Sequence, residues 1–195
     1  LPRTRKADYV TRAITLTGFS NIMFDRYAGD NKTELRPEEK FYFAQDGQTL
    51  VVPAANVVSL LTAQNTPSAP KRFLDPRKYK GVASAILSYT VIQPHLIPLT
   101  REGKPIVFHG FRGDRDEQSG CYIDRRVARL DKGIPNPKVR PVVPTPWELS
   151  FELLYYPNQE VQEEQIRNLL IRAGVSIGLG TYRGVFGKFV VSKWA

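Results

Sequence analysis

The chain holds one cysteine, one methionine and two histidines among its 195 residues. The lone Cys121 rules out an internal disulfide and fits a reducing compartment such as the cytoplasm. His95, His109 and Cys121 are scattered, whereas a structural metal needs about four ligands at close spacings, so no metal and no other cofactor is expected. No apolar run approaches the roughly 18 residues that a membrane span requires. Gly178 and Gly180 are followed by Gly184 rather than by a glycine three residues on, so the dinucleotide fingerprint is missing. Gly187-Lys188-Phe189 lacks the hydroxyl residue of a phosphate-binding P-loop. No nucleophile elbow is read, and Arg112-Gly113-Asp114 is a chance tripeptide in a charged loop.

Basic residues are abundant: 28 Lys and Arg against 19 Asp and Glu, a formal charge of +9. That balance favours an acidic partner, nucleic acid before a membrane surface. The hydrophobic share of 42% supports a folded core, and the length suits one domain, residues 1–195. The basic start, Arg3 to Lys6, has no apolar block behind it and reads as an arm, not a secretory signal.

Along the chain, Val10 to Thr17 alternates as a strand, and Gly18 ends it. A long polar loop is expected from Phe19 to Lys40. Phe41-Tyr42-Phe43 and Leu50-Val51-Val52 flank Asp46-Gly47, a hairpin signal. Pro53 is read as the first residue of a helix that buries Val57, Leu60 and Leu61. Gly81 to Ser88 fits either a helix or a buried strand. Short strands are expected at Leu96–Leu99 and Pro105–Phe108, and a further one at Tyr122–Arg129. Together with Lys132, Lys138 and Arg140, the stretch Gly103–Arg140 reads as an inserted basic arm, with five prolines from Pro135 to Pro146 excluding a helix there.

Trp147 to Tyr155 alternates most clearly of all, and Glu160 to Arg172 is the clearest helix, with Gly174 as its stop. A last strand runs from Phe186 to Trp194. This order implies an α+β fold: a ferredoxin-like (RRM-like) antiparallel sheet, helices on one face, insertions at 19–40 and 103–140.

The stretch between the last helix and last strand contains Gly178, Gly180, Tyr182, Arg183, Gly184 and Lys188. Two readings stand for it: a tight turn, or a loop whose N–H groups, cations and aromatics meet phosphates and bases. Arg72, Lys78 and Lys80, then Arg125, Arg126 and Arg129, then Arg183 and Lys188 come from three separate segments. Brought to one side they form a phosphate-tracking groove, with Phe111, Tyr122 and Tyr182 for stacking; spread out they are a solvated surface. Asp25 and Asp30 are the acidic candidates for catalysis, against a plain role as loop carboxylates.

The segments Ile14 to Met23 (ITLTGFSNIM), Leu50 to Val57 (LVVPAANV) and Ala173 to Phe189 (AGVSIGLGTYRGVFGKF) resemble the RAMP superfamily. The likeness is to the backbone subunits of CRISPR effector complexes and related phage-encoded proteins. It implies a β-hairpin thumb, here the 103–140 arm, and a glycine-rich loop at Gly178, Gly180, Arg183 and Gly184. It also implies sequence-independent binding to a guide RNA or another single strand. The partners implied are further copies of the chain stacked head to tail and other effector subunits. A loop aspartate, Asp25 or Asp30, would be the counterpart of the one some relatives use to cleave RNA. A viral structural or inhibitory protein of the same fold is the remaining alternative.

Overall fold

The computed structural model describes residues 8–30, 32–64, 67–129, 133 and 135–195, with side chains for all of these except 128 and 129. The basic arm Arg3 to Lys6, Asn31 and Lys132 lie outside the described residues. The alternation in Trp147–Tyr155 (β9) buries its odd-numbered residues, from Trp147 to Tyr155, on one face. Strand Val10–Gly18 (β1) pairs with β9 along its whole length, from Val10 opposite Tyr155 to Gly18 opposite Trp147. On its other side β1 pairs with Phe189–Trp194 (β10), through a bulge at Thr15 and Leu16.

The far side of β9 receives Thr90–Gln93 (β4) and Leu96–Arg101 (β5). Strand β5 in turn pairs with Val51–Pro53 (β3) and Lys104–Pro105 (β6). The sheet order is therefore β10-β1-β9-β5-β3, antiparallel throughout.

Four helices cover the apolar face: Ala54–Thr62 (α1), Ala69–Phe73 (α2), Tyr79–Tyr89 (α3) and Glu163–Ser176 (α4). Leu60 and Leu61 of α1, Ile86 of α3, and Ile166, Leu169 and Leu170 of α4 join Leu16, Leu149 and Phe151 in one core. The periodicity of α4 places its apolar residues three and four apart, which makes a single stripe for the sheet. This is the ferredoxin-like α+β arrangement, with the last strand, the first, the third and the second side by side.

Several boundaries differ from the sequence reading. Gly81–Ser88 lies inside α3, so the helical alternative holds. Pro53 caps α1 with an extended ψ of 134° instead of opening its first turn. The helix expected from Glu160 starts at Glu163, because Asn158 Oδ1 accepts the N–H groups of Glu160 and Val161 in a turn of its own. Gly174 is not the stop: it lies within α4, where a Cβ would come within 2.3 Å of the Phe189 carbonyl. The helix ends at Ser176, and the stop glycine is Gly178, two residues on at φ +86°, whose N–H donates to Ala173 O. The stretch 19–40 contains strand Ile22–Met23 (β2) and a 3-10 turn, Pro37–Lys40, and is no plain loop.

The basic arm contains a hairpin of Tyr122–Arg129 (β7) and Pro135–Val143 (β8), which with β2 forms a second sheet, order β2-β8-β7. Its prolines have a physical logic. Pro135, Pro137 and Pro141 are all odd-numbered, and the odd residues of β8 turn their backbone away from β7: Pro141 O accepts Phe24 N–H, and Val139 O accepts Lys40 Nζ. A missing N–H at those positions costs the β7–β8 ladder nothing.

The crossing from α4 to β10 is the tightest point of the fold. At Gly187, φ is +73° and a Cβ would lie 1.8 Å from Leu179 O; at Gly184, φ is +92° and nothing lies within 4 Å. Gly187→Ala is expected to cost about 3 kcal/mol, roughly 6–12 °C in Tm. Gly184→Ala should cost only about 1 kcal/mol. Thermal unfolding of the two variants checks this; equal losses would contradict it.

Candidate nucleic-acid interface

Alternation along β7 divides the residues of the second sheet between two faces. Tyr122, Asp124 and Arg126 share one face and lie opposite Val142, Arg140 and Lys138 of β8. Met23 lies opposite Val142 on that same face. The segment between α4 and β10 folds down onto it: Phe186 packs with Met23, Val142 and Tyr122 as a small apolar cluster. Above this cluster the Arg126 guanidinium sits 4.8 Å from the Tyr182 ring centroid and 4.9 Å from that of Phe186. Asp124 holds the same guanidinium from the side, with Arg126 Nη2 donating to Oδ2 at 2.6 Å, and raises its pKa further above the ordinary value. Hairpin and glycine loop thus meet through a cation held by two rings and a carboxylate.

The glycine loop is tied down by its own backbone. Thr181 N–H donates to Met23 O at 2.9 Å, Gly187 N–H to Asn21 O at 2.7 Å and Gly184 N–H to Ile177 O at 2.7 Å. Gly178 N–H is likewise used, by the helix end, and Lys188 N–H donates to Ser20 Oγ. Among the described residues no acceptor meets the N–H groups of Gly180, Tyr182, Arg183 and Val185. Of the loop glycines, only Gly180 therefore offers a free N–H. The pattern Gly174-Val175-Ser176-Ile177-Gly178 does spell a nucleophile elbow, contrary to the sequence reading. Ser176 ends a helix there and does not occupy a strand-to-helix turn.

The cations separate into groups that the sequence alone did not distinguish. Arg183 is half-buried and has no carboxylate partner among the described residues; burial lowers its pKa from the ordinary value. Lys188, just before β10, is also half-buried and has no ion pair among the described residues. Arg126 lies on the loop face, whereas Arg125, one residue earlier, points to the opposite face and pairs with Asp114 at 2.8 Å. Arg129 belongs to β7, but its side chain lies outside the description. Arg72 on α2, Lys78 before α3 and Lys80 within it are exposed on the helical layer, and no hydrogen bond or ion pair joins them to the loop or hairpin. Lys138 shares the Arg126 face and is the cation there that sequence reasoning underrated. Its signal was available: it stands two residues before Arg140, on the same side of an extended strand. Asp124, two residues before Arg126, was missed for want of the same reasoning. Of the proposed stacking rings, Phe111 packs against Phe41 and Phe108 in the core. Tyr122 accepts a hydrogen bond from Asn21 Nδ2, and Tyr182 is 41% exposed.

The two aspartates have structural partners. Arg140 Nε donates to Asp25 Oδ2 at 2.7 Å, and Lys40 Nζ is 3.7 Å from Oδ1. Arg140 and Lys40 are both buried. Asp30 accepts the N–H groups of Lys32 and Thr33 and the Thr33 hydroxyl, bonds that hold its pKa below the usual carboxylate value. Both aspartates line a polar cleft of about 660 Å³ that Lys32, Lys40 and Lys138 also border. Among the described residues no group of His, Cys, Asp and Glu is placed to hold a metal, and no described helix is long and apolar enough to cross a membrane.

These features define a ferredoxin-like α+β protein with a hairpin inserted before the third core strand and braced by a glycine loop. A chain in the cryo-EM structure of the Type III-B Cmr-beta bound to cognate target RNA has this fold. It aligns at a TM-score of 0.61 and 11% identity, over 96% of this chain and 60% of that one. The present chain thus spans about 60% of that chain's length. No protein-family model and no curated protein matches the sequence.

Removing the Asp25 carboxylate leaves the buried Arg140 and Lys40 without their shared counter-charge. Asp25→Ala is expected to lose about 3 kcal/mol of stability in urea unfolding. A double-mutant cycle with Arg140→Ala should recover part of that loss, and strict additivity would show that the pair is not coupled.

Proposed function

We propose that this chain is an RNA-binding subunit of a CRISPR-type ribonucleoprotein that grips the backbone of a guide RNA without reading its sequence. The carrying observation is the half-buried Arg183, a guanidinium with no carboxylate partner among the described residues, set beside the exposed Tyr182 and the free N–H groups of both residues. A cation drawn out of water without a counter-charge is suited to an anion that arrives from outside. Lys188 and Lys138, which have no ion pair among the described residues, extend the positive surface along the loop and hairpin. The shared fold with a chain of an RNA-bound Type III-B Cmr-beta structure supports this reading.

The open face of the main sheet supports it too, by what it carries. Thr15, Thr17, Ser150 and Ser192 bond to one another there, and Glu148 accepts from Thr17. Such a face has hydroxyls and a carboxylate where an RNA-recognition sheet presents stacking aromatics. Binding therefore belongs to the loop and the hairpin. In this reading the hairpin is the thumb, copies associate head to tail along the RNA, and other effector subunits complete the assembly. The role is binding, not cleavage, because Asp25 and Asp30 are engaged within the fold.

Fluorescence anisotropy with single-stranded RNA tests the proposal. Affinity should fall steeply between 50 and 200 mM salt and differ little between oligouridylate and oligoadenylate (about threefold or less). Arg183→Ala should flatten the slope of log affinity against log salt by about 0.7. Affinity indifferent to salt would refute the reading. Complex mass should grow stepwise with RNA length, and RNA should stay intact with divalent metal present. Cleavage that Asp25→Ala abolishes would replace binding with catalysis.

A further inference from the structure

Tyr182 is held in an unusual state. Its φ is +51°, the left-handed region that a bulky side chain rarely enters. The bonds of Thr181 N–H to Met23 O and Gly184 N–H to Ile177 O flank it, and Tyr182 O itself accepts Phe186 N–H. Arg126 covers one side of the ring, Phe186 meets it edge-on at 6.1 Å, and 41% of the residue stays exposed. Tyr156 is equally exposed at 41% but packs on Tyr9 at 5.4 Å, whereas Tyr182 has a guanidinium behind its ring. Here the backbone is strained and the ring remains outside, braced from behind by a cation. The adjoining residue is the unpaired Arg183, and both residues have free N–H groups.

We propose that Tyr182 stacks one unpaired nucleobase on its open ring face, while Arg183 takes the neighbouring phosphate. This rests on the RNA-binding reading and narrows its ligand to a single strand. In a duplex both faces of every internal base are covered by stacked neighbours, so no base is free for the ring. Arg126 serves as a positioning residue: its guanidinium beneath the ring fixes the plane, and Asp124 fixes the guanidinium. The outer ring face accepts any base, because every base has a π-face. Binding at this point remains independent of sequence.

The test uses the full chain and an oligouridylate of about 12 nucleotides with a single 2-aminopurine, whose emission is quenched by stacking. Wild type and Tyr182→Phe should quench it on binding. Tyr182→Leu should lose the quench and bind about tenfold more weakly, with the salt slope unchanged because no phosphate contact is removed. A duplex of the same length should compete at least tenfold less well. Wild-type binding without any change in 2-aminopurine emission overturns the stacking role whatever the variants do. Equal affinity of Tyr182→Leu and wild type, or equal competition by duplex, overturns it as well; in each case the RNA-binding reading stands. Failure of wild type to bind any single strand removes both.

Discussion

Two backbone hydrogen bonds dock the glycine crossing onto β2: Thr181 N–H to Met23 O and Gly187 N–H to Asn21 O. The donors come from the crossing between the last helix and the last strand, and the acceptors from the segment just after the first strand. Strand β2 pairs with β8 and β8 with β7, while Ile22, Phe24 and Val143 pack into the main core, so the crossing, the main sheet and the hairpin meet at β2. The crossing has to approach β2 closely to make these bonds. Phe186 then fills the small apolar gap against Met23, Val142 and Tyr122. The Arg126 contact with the two rings is a consequence of that docking, since the guanidinium is presented by the hairpin and the rings by the crossing.

Charge in this molecule follows from that geometry more than from composition. Several of its cations neutralise its own carboxylates: Arg12 with Glu163, Arg140 and Lys40 with Asp25, and Arg125 with Asp114. These pairs are structural, and the buried set around Asp25 anchors the start of the 19–40 stretch to β8. Arg101 spends its guanidinium on three carbonyls, those of Ser119, Pro144 and Pro146, and so ties the base of the insertion to the strand β9 that follows it. Arg126 is likewise paired, with Asp124, so the crossing and the hairpin face keep Arg183, Lys188 and Lys138 without a carboxylate partner among the described residues, and the proposed site lies there because Arg183 is the half-buried one. The helical layer carries Arg72, Lys78 and Lys80 as a separate group.

The polar side of the main sheet shows how a widely used fold can be turned to a different surface. Its hydroxyls satisfy one another across β1, β9 and β10. A face built in this way has no aromatic platform. In the proposed reading the recognition elements are carried instead by an insertion and a turn, while the core sheet keeps its own packing.

Strands and helices with strong periodicity were legible in the amino-acid sequence: β1, β9, α1 and α4 each show their buried stripe as a simple spacing. So were the antiparallel α+β class and the inserted hairpin, because hydrophobic alternation and turn residues act over a few positions. The three-dimensional structure decided what depends on distant partners. Gly174 was set by the approach of Phe189, fifteen residues on, and Gly178 became the helix stop. Asp25 was claimed by Arg140 and Lys40 from other segments. Arg125 and Arg126, neighbours in sequence, were sent to opposite faces because successive side chains of a strand alternate. Local spacing records how a segment folds; which charges are neutralised and which are left for a ligand is settled only when remote segments meet.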